Sequence, residues 1–138
     1  MNEIYILDAC ALIASLANEP GAKNVRKILQ DAIDEKAIVK MNQINLLEVY
    51  YDIYRTYGKD EANKVLEKIQ KFPIEIIIGM TEEVFKTAGL LKSKYKISLA
   101  DSIALGESII GNASLVTSDH HEFETIKKTE NINITWFR

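Results

Sequence analysis

The stretch Tyr5-Ile6-Leu7-Asp8-Ala9-Cys10-Ala11-Leu12-Ile13 is apolar except for one carboxylate. Before the acid, IYIL has the length and β-branched content of the inner part of a buried strand. After it, ACALIASLA repeats small and apolar residues at helical spacing. A strand handing over directly to a helix is the signature of an α/β chain, and Asp8 stands at the junction. Desolvating an ionised carboxylate is expensive unless something compensates for it. Asp8 therefore either caps the helix or holds something positive.

Outward from this junction the pattern repeats. Residues 3–7 read as the first strand and 9–17 as a short helix, followed by the turn Asn18-Glu19-Pro20-Gly21. The region 22–35 carries Val25, Ile28, Leu29 and Ile33 on one helical face, and 37–41 is a second strand. Residues 44–57 are helical up to Gly58, a good residue just past a helix end, and 60–71 form another amphipathic helix stopped by Pro73. A third strand spans 74–78, Thr81 caps a helix to about residue 95, and Ser98 opens a more apolar one ending near Gly111. A fourth strand at 113–117, a short polar helix from Asp119 and a last edge strand at 133–137 complete the chain. Alternating strands and helices predict a three-layer α/β/α architecture with a mainly parallel central sheet of four to five strands. In such sheets ligands bind at the carboxyl ends of the strands, where both Asp8 and Asp119 fall.

The totals bound the function. At 138 residues the chain reads as one domain, 1–138, able to bury a core without a staple. With 17 basic against 20 acidic residues and a net charge of −3, there is no global attraction to nucleic acid, so any such binding needs local basic patches. A single cysteine makes no internal disulfide, which fits a reducing cytoplasm. No apolar run approaches the ~20 residues of a membrane span, and MNEIYILD has no basic region of the kind that opens a signal peptide.

Asp8, Glu48, Asp101 and Asp119 each interrupt an apolar context, in YILDACAL, INLLEVYY, SLADSIAL and LVTSDHHEF. Singly, each has a structural explanation. Asp8 and Asp119 suit helix N-caps, while Asn45-x-x-Glu48 and Ser98-x-x-Asp101 have capping-box spacing. Collectively they point elsewhere. Two lie at strand ends, the other two near the starts of helices that can face the same edge. Four converging carboxylates repel one another unless a divalent cation neutralises them. Mg²⁺ or Mn²⁺ suits an oxygen-only ligand set, and two adjacent histidines with one cysteine give zinc little support. The chemistry such a centre serves is phosphodiester hydrolysis by a metal-aligned water.

These four motifs resemble those of the PIN-domain nucleases, and among them the small VapC-like toxins of type II toxin–antitoxin pairs. The resemblance spans essentially the whole chain in length and element order. It implies a Mg²⁺- or Mn²⁺-dependent endoribonuclease with Asp8, Glu48, Asp101 and Asp119 around the metal, an RNA substrate, a cognate antitoxin whose tail fills the groove, and a homodimer. Thr117 matches the hydroxyl that relatives often carry two residues before the last acid, which gives it a supporting role. One departure stands out. Many relatives have a hydroxyl residue close after the first acid, whereas here the positions hold Ala9 and Cys10.

Rival readings are weaker. A P-loop enzyme is excluded by the absence of G-x-x-x-x-G-K. A haloacid-dehalogenase-type phosphatase needs a second aspartate where Cys10 stands. The alternative that survives is a non-catalytic PIN-like module binding RNA or protein. Tyr50, Tyr54 and Tyr57 share a helical face and read first as core or subunit interface, then as a base-stacking surface. Cys10 reads as a small core residue, His120 and His121 as surface histidines, and Lys23, Arg26, Lys27, Lys86, Lys92, Lys94 and Lys96 as solvated helix faces.

Overall fold

A computed structural model describes residues 2–138. In chain order it contains β1 (Glu3–Leu7), α1 (Ala9–Ala17), α2 (Ala22–Ile33), β2 (Ala37–Asn42), α3 (Gln43–Tyr57) and α4 (Lys59–Ile69). The second half holds β3 (Glu75–Ile77), α5 (Glu82–Lys94), α6 (Leu99–Ile110), β4 (Ser114–Thr117), α7 (His120–Lys127) and β5 (Asn133–Trp136). The five strands form one sheet in the order β3-β2-β1-β4-β5. Every pairing is parallel, so the sheet is wholly rather than mainly parallel. The chain first winds outward from β1 through β2 to β3, then returns to the other side of β1 and winds outward again through β4 to β5. The carboxyl ends of β1 and β4 thus flank the point where the winding reverses, the place where such sheets open a crevice.

Strand periodicity decides which helices cover which face. Ile6 and Leu115, paired across β1 and β4, point to one side and pack with Leu91, Ala104, Leu105, Phe123 and Ile126 of α5, α6 and α7. Leu7, Val39 and Val116 point to the other side and meet Ala11, Ala14, Val25, Ile28 and Leu29 of α1 and α2. Met41 extends that second face toward α3 and α4, where Val49, Ile53, Ala62 and Ile69 close a third cluster with Leu12. The predicted three-layer α/β/α arrangement is the observed one.

Local chemistry sets the helix starts. The Thr81 hydroxyl accepts from Val84 N (3.2 Å), and the Ser98 hydroxyl accepts from Asp101 N (3.1 Å). The cap of α3 differs from expectation. Its N-cap is Asn42, whose Oδ1 accepts from Ile44 N (2.8 Å), and Asn45 lies inside the helix, so Asn45-x-x-Glu48 is no capping box. The strand runs one residue further than its hydrophobic pattern, and the asparagine at its end turns the chain into the helix. Gly21 has a φ of +88°, and a Cβ there would run into the Phe137 carbonyl. That opening lets the segment after β5 lie against the α1–α2 turn. There Asn24 Nδ2 donates to Phe137 O (2.9 Å) and Arg138 donates to Pro20 O (3.0 Å).

Candidate active site

Asp8 follows β1 and is 3% exposed. Its backbone N–H extends the ladder to Val116 O (3.3 Å), which fixes it beside the end of β4. Oδ1 accepts from Ala11 N (2.8 Å), so the residue caps α1. Burial pushes its pKa up from 3.8 to about 7, with the Asp101 and Glu48 charges adding to the rise. Contact with the Thr117 hydroxyl and the Ala11 N–H holds it down in part. Thr117 is itself fully buried, and its hydroxyl oxygen accepts from Asp119 N (3.2 Å). One hydroxyl therefore ties the first acid to the backbone of the last.

The remaining acids arrive from three helices. Glu48, in the second turn of α3, is raised above the ordinary glutamate range by burial, then by Asp101 and Asp52. Asp101, in the first turn of α6, is also raised, chiefly by burial, with Asp119 contributing, while contacts with Glu122 and Ser98 oppose the shift. Asp119 caps α7 by accepting from Glu122 N (3.1 Å). Asp101, Asp119 and Glu122 each offer a carboxylate oxygen, and these atoms lie within 4.8 Å of one another. Glu122 is pushed up to about 8 by partial burial and by its hydrogen bonds and charges shared with Asp119 and Asp101. Asp8 and Glu48 stand outside this tightest trio but within its field.

The PIN domain family model matches residues 5–128. The chain belongs to the PIN domain family. Its fold is similar to that of VapBC2 from Rickettsia felis bound to a DNA fragment from its promoter, at 19% identity over 96% of this chain and 98% of that one, with a TM-score of 0.74. DNA-bound VapBC from Salmonella typhimurium matches over 100% of both chains at 15% identity and a TM-score of 0.75. A toxin–antitoxin complex from Klebsiella pneumoniae matches at 17% identity over 97% and 98% of the two chains, with a TM-score of 0.67. Among curated proteins, none matches the sequence.

In this PIN domain the sequence singled out Asp8, Glu48, Asp101 and Asp119, and the fold brings all four to the same sheet edge. Glu122 was missed. Its signal was present as Asp119-x-x-Glu122 at the start of a short helix, a spacing that reads as helix capping and hides a carboxylate turned toward its neighbours. The expectation that Cys10 is core is corrected. Ala9, Ala11 and Leu12 are buried, whereas Cys10 is exposed on the side of α1 that meets the acids. Desolvation and the fields of Asp8, Asp101 and Glu48 push its thiol up to about 12, so it stays protonated. His120 is exposed but engaged: its ring stacks on Trp136 (3.9 Å between centroids) and bonds Glu124 and the Arg138 carbonyl. The Arg138 guanidinium donates to Ser118 Oγ (3.1 Å), which anchors a cation one residue from Asp119. Tyr50 donates to Asn63 Oδ1 (2.8 Å) between α3 and α4, while Tyr51, Tyr54 and Tyr57 are exposed. A surface depression of about 790 Å³, lined by Glu3, Asn112, Ser114 and Asn133, opens at the opposite edge of the sheet, away from the acids.

Proposed function

We propose that this PIN domain, residues 1–138 as a single unit, is a metal-dependent endoribonuclease and the toxin of a toxin–antitoxin pair. The observation that carries the reading is the gathering of Asp101, Asp119 and Glu122 oxygens within 4.8 Å, with Asp8 and Glu48 adding charge from beside them. The donor set fits Mg²⁺ or Mn²⁺. All its atoms are carboxylate oxygens, the Cys10 thiol is protonated, and no histidine belongs to the group among the described residues. Asp8, Glu48, Asp101 and Asp119 are the proposed catalytic acids and metal ligands, with Glu122 beside them. When bound, a divalent ion supplies charge neutralisation and activation of water for phosphodiester hydrolysis.

The protein's own groups prepare that centre. The Ala11 amide and the Thr117 hydroxyl aim the Asp8 carboxylate, and the Glu122 amide aims Asp119. Arg138 stands at the rim as a counter-charge for the RNA backbone, which the acids alone would repel.

The partner reading rests on a groove of about 420 Å³ between α1, α3 and α4. Ile13, Leu16, Ile53 and Val65 give it an apolar floor, and Glu19, Asp52 and Glu61 an acidic rim. An amphipathic antitoxin tail that places a basic side chain toward Asp52 and Glu48 matches both properties. The toxin–antitoxin complex of the same fold supports this assignment. Along α3, Ile44, Leu47, Tyr51 and Tyr54 form an exposed stripe, the face proposed to meet a second copy in a homodimer. No helix among the described residues is long and apolar enough to cross a membrane, and the exposed, unpaired Cys10 is consistent with a reducing cytoplasm.

The deciding experiment is incubation of purified protein with RNA and Mg²⁺ or Mn²⁺. Cleavage that stops with a chelator and is absent in Asp8→Asn is the expected result. RNA binding without cleavage under any metal would make the protein a non-catalytic binding module instead.

A further inference from the structure

Glu48 and Asp101 lie on different helices, so their separation is set by how α3 sits against α6. Two buried asparagines fasten the start of α3. Asn42 Nδ2 donates to Glu107 Oε2 (2.7 Å) on α6 and to Gly79 O (2.9 Å). Asn45 Nδ2 donates to Ala100 O (3.1 Å), the residue adjacent to Asp101. On α3, Asn45 stands one turn before Glu48 on the same side of the helix. A single amide therefore links the turn that carries Glu48 to the backbone that carries Asp101.

That amide is a poor choice for stability. Asn45 is 0% exposed, and its Oδ1 is a buried side-chain atom without a partner, the one such atom among the described residues. An unpaired buried acceptor is destabilising. Rotating the amide brings no relief, since Oδ1 would then oppose Ala100 O and leave the NH₂ group without that acceptor. Nor does Ala100 need the bond, because its carbonyl already has the Ala104 N–H as its partner four residues on in the helical ladder. A leucine of similar size would fill the space with no orphaned atom. Packing and hydrogen-bond satisfaction therefore leave the asparagine unexplained, while its position between two acids of the site explains it.

We propose that Asn45 is a positioning residue that fixes Glu48 relative to Asp101 and so sets the affinity of the acidic site for a divalent ion. The inference rests on the metal-dependent reading given above. Its test is calorimetric Mn²⁺ binding to the full chain, with urea denaturation in chelator, for wild type, Asn45→Leu, Glu48→Gln and the double variant. Asn45→Leu is expected to keep or raise the denaturation midpoint, yet to weaken Mn²⁺ binding roughly 10-fold, the usual cost of losing a group that orients a ligand. In the Glu48→Gln background the same change should alter binding less than about 2-fold, since the ligand it positions is gone. Asn45→Ala provides the same comparison should leucine prevent folding.

Two results overturn the positioning role alone. One is wild-type Mn²⁺ affinity in a folded Asn45 variant; the other is equal weakening in both backgrounds. Wild-type protein that binds no Mn²⁺ overturns the metal reading itself, and the positioning role with it.

Discussion

Replacing Asp8 by asparagine isolates the cost of one buried charge. The carboxylate is 3% exposed and its pKa is pushed from 3.8 to about 7. The folded value lies above the unfolded one, so between these limits the native state keeps a proton that the unfolded chain has released. Stability then falls as pH rises through this window, and the full penalty is present above pH 7. The gap of about 3 pH units corresponds to roughly 4 kcal/mol at 1.36 kcal/mol per unit. Asparagine keeps an Oδ1 to accept from Ala11 N, and its NH₂ group can donate to the Thr117 hydroxyl oxygen, so the cap survives and the new donor has a partner. After a discount of about 1 kcal/mol for the buried amide, metal-free Asp8→Asn should be roughly 2–4 kcal/mol more stable than wild type at pH 8. Between pH 5 and pH 7 that advantage should change by roughly 2 kcal/mol, since Asp8 is the titrating group that distinguishes the two proteins. Urea denaturation in chelator, followed by circular dichroism from pH 5 to pH 8, measures both quantities. A variant less stable at pH 8, or an advantage that does not vary with pH, would refute the account of Asp8 as a charge buried without its counter-ion.

Two further outcomes follow from the same structure. Because Glu122 stands at about 8 and Asp8 at about 7, Mn²⁺ must displace protons, so its affinity should rise steeply from pH 6 to pH 8.5 and its binding heat should depend on the buffer; calorimetry in two buffers of different ionisation heat checks this, and a pH-independent affinity would contradict it. Gly21→Ala should destabilise by more than about 1 kcal/mol, since φ is +88° and the new Cβ meets the Phe137 carbonyl; an unchanged denaturation midpoint would mean that the segment after β5 yields freely.

Much of this was legible in the chain. Strand and helix periods alternate cleanly because β1 and β4 bury apolar residues on both faces and so read as short apolar runs, and each helix needs one apolar stripe to lie on the sheet. Proline, glycine and hydroxyl residues punctuate the boundaries, as at Thr81, Ser98 and Gly58. What escaped were residues whose role depends on distant partners. Cys10 shares its composition with a buried helix face, and only the approach of α3 and α6 turns it toward the acids. Glu122 sits at cap spacing from Asp119, and nothing local announces that Asp101 comes within reach of both. Asn45 resembles a cap because Asn45-x-x-Glu48 has capping-box spacing, and only the chain's turn at Asn42 places it inside the helix.

The choice between cap and ligand, posed by Asp8 at the outset, dissolves in the structure. Asp8 and Asp119 each accept a backbone N–H at the start of a helix, and each also faces the other acids. The two roles reinforce one another. A helix N-terminus presents unpaired N–H groups and partial positive charge, which stabilise a carboxylate before any cation arrives. A second oxygen on each carboxylate remains for the site, because the cap uses only Oδ1. Crowding five carboxyl groups at one sheet edge would otherwise oppose folding by mutual repulsion. Here the raised values at Asp8 and Glu122 keep protons on part of the cluster, and helix ends hold Asp8 and Asp119 in place. The fold can therefore form with protons in the position of the metal, so that cation binding becomes an exchange rather than a precondition for folding.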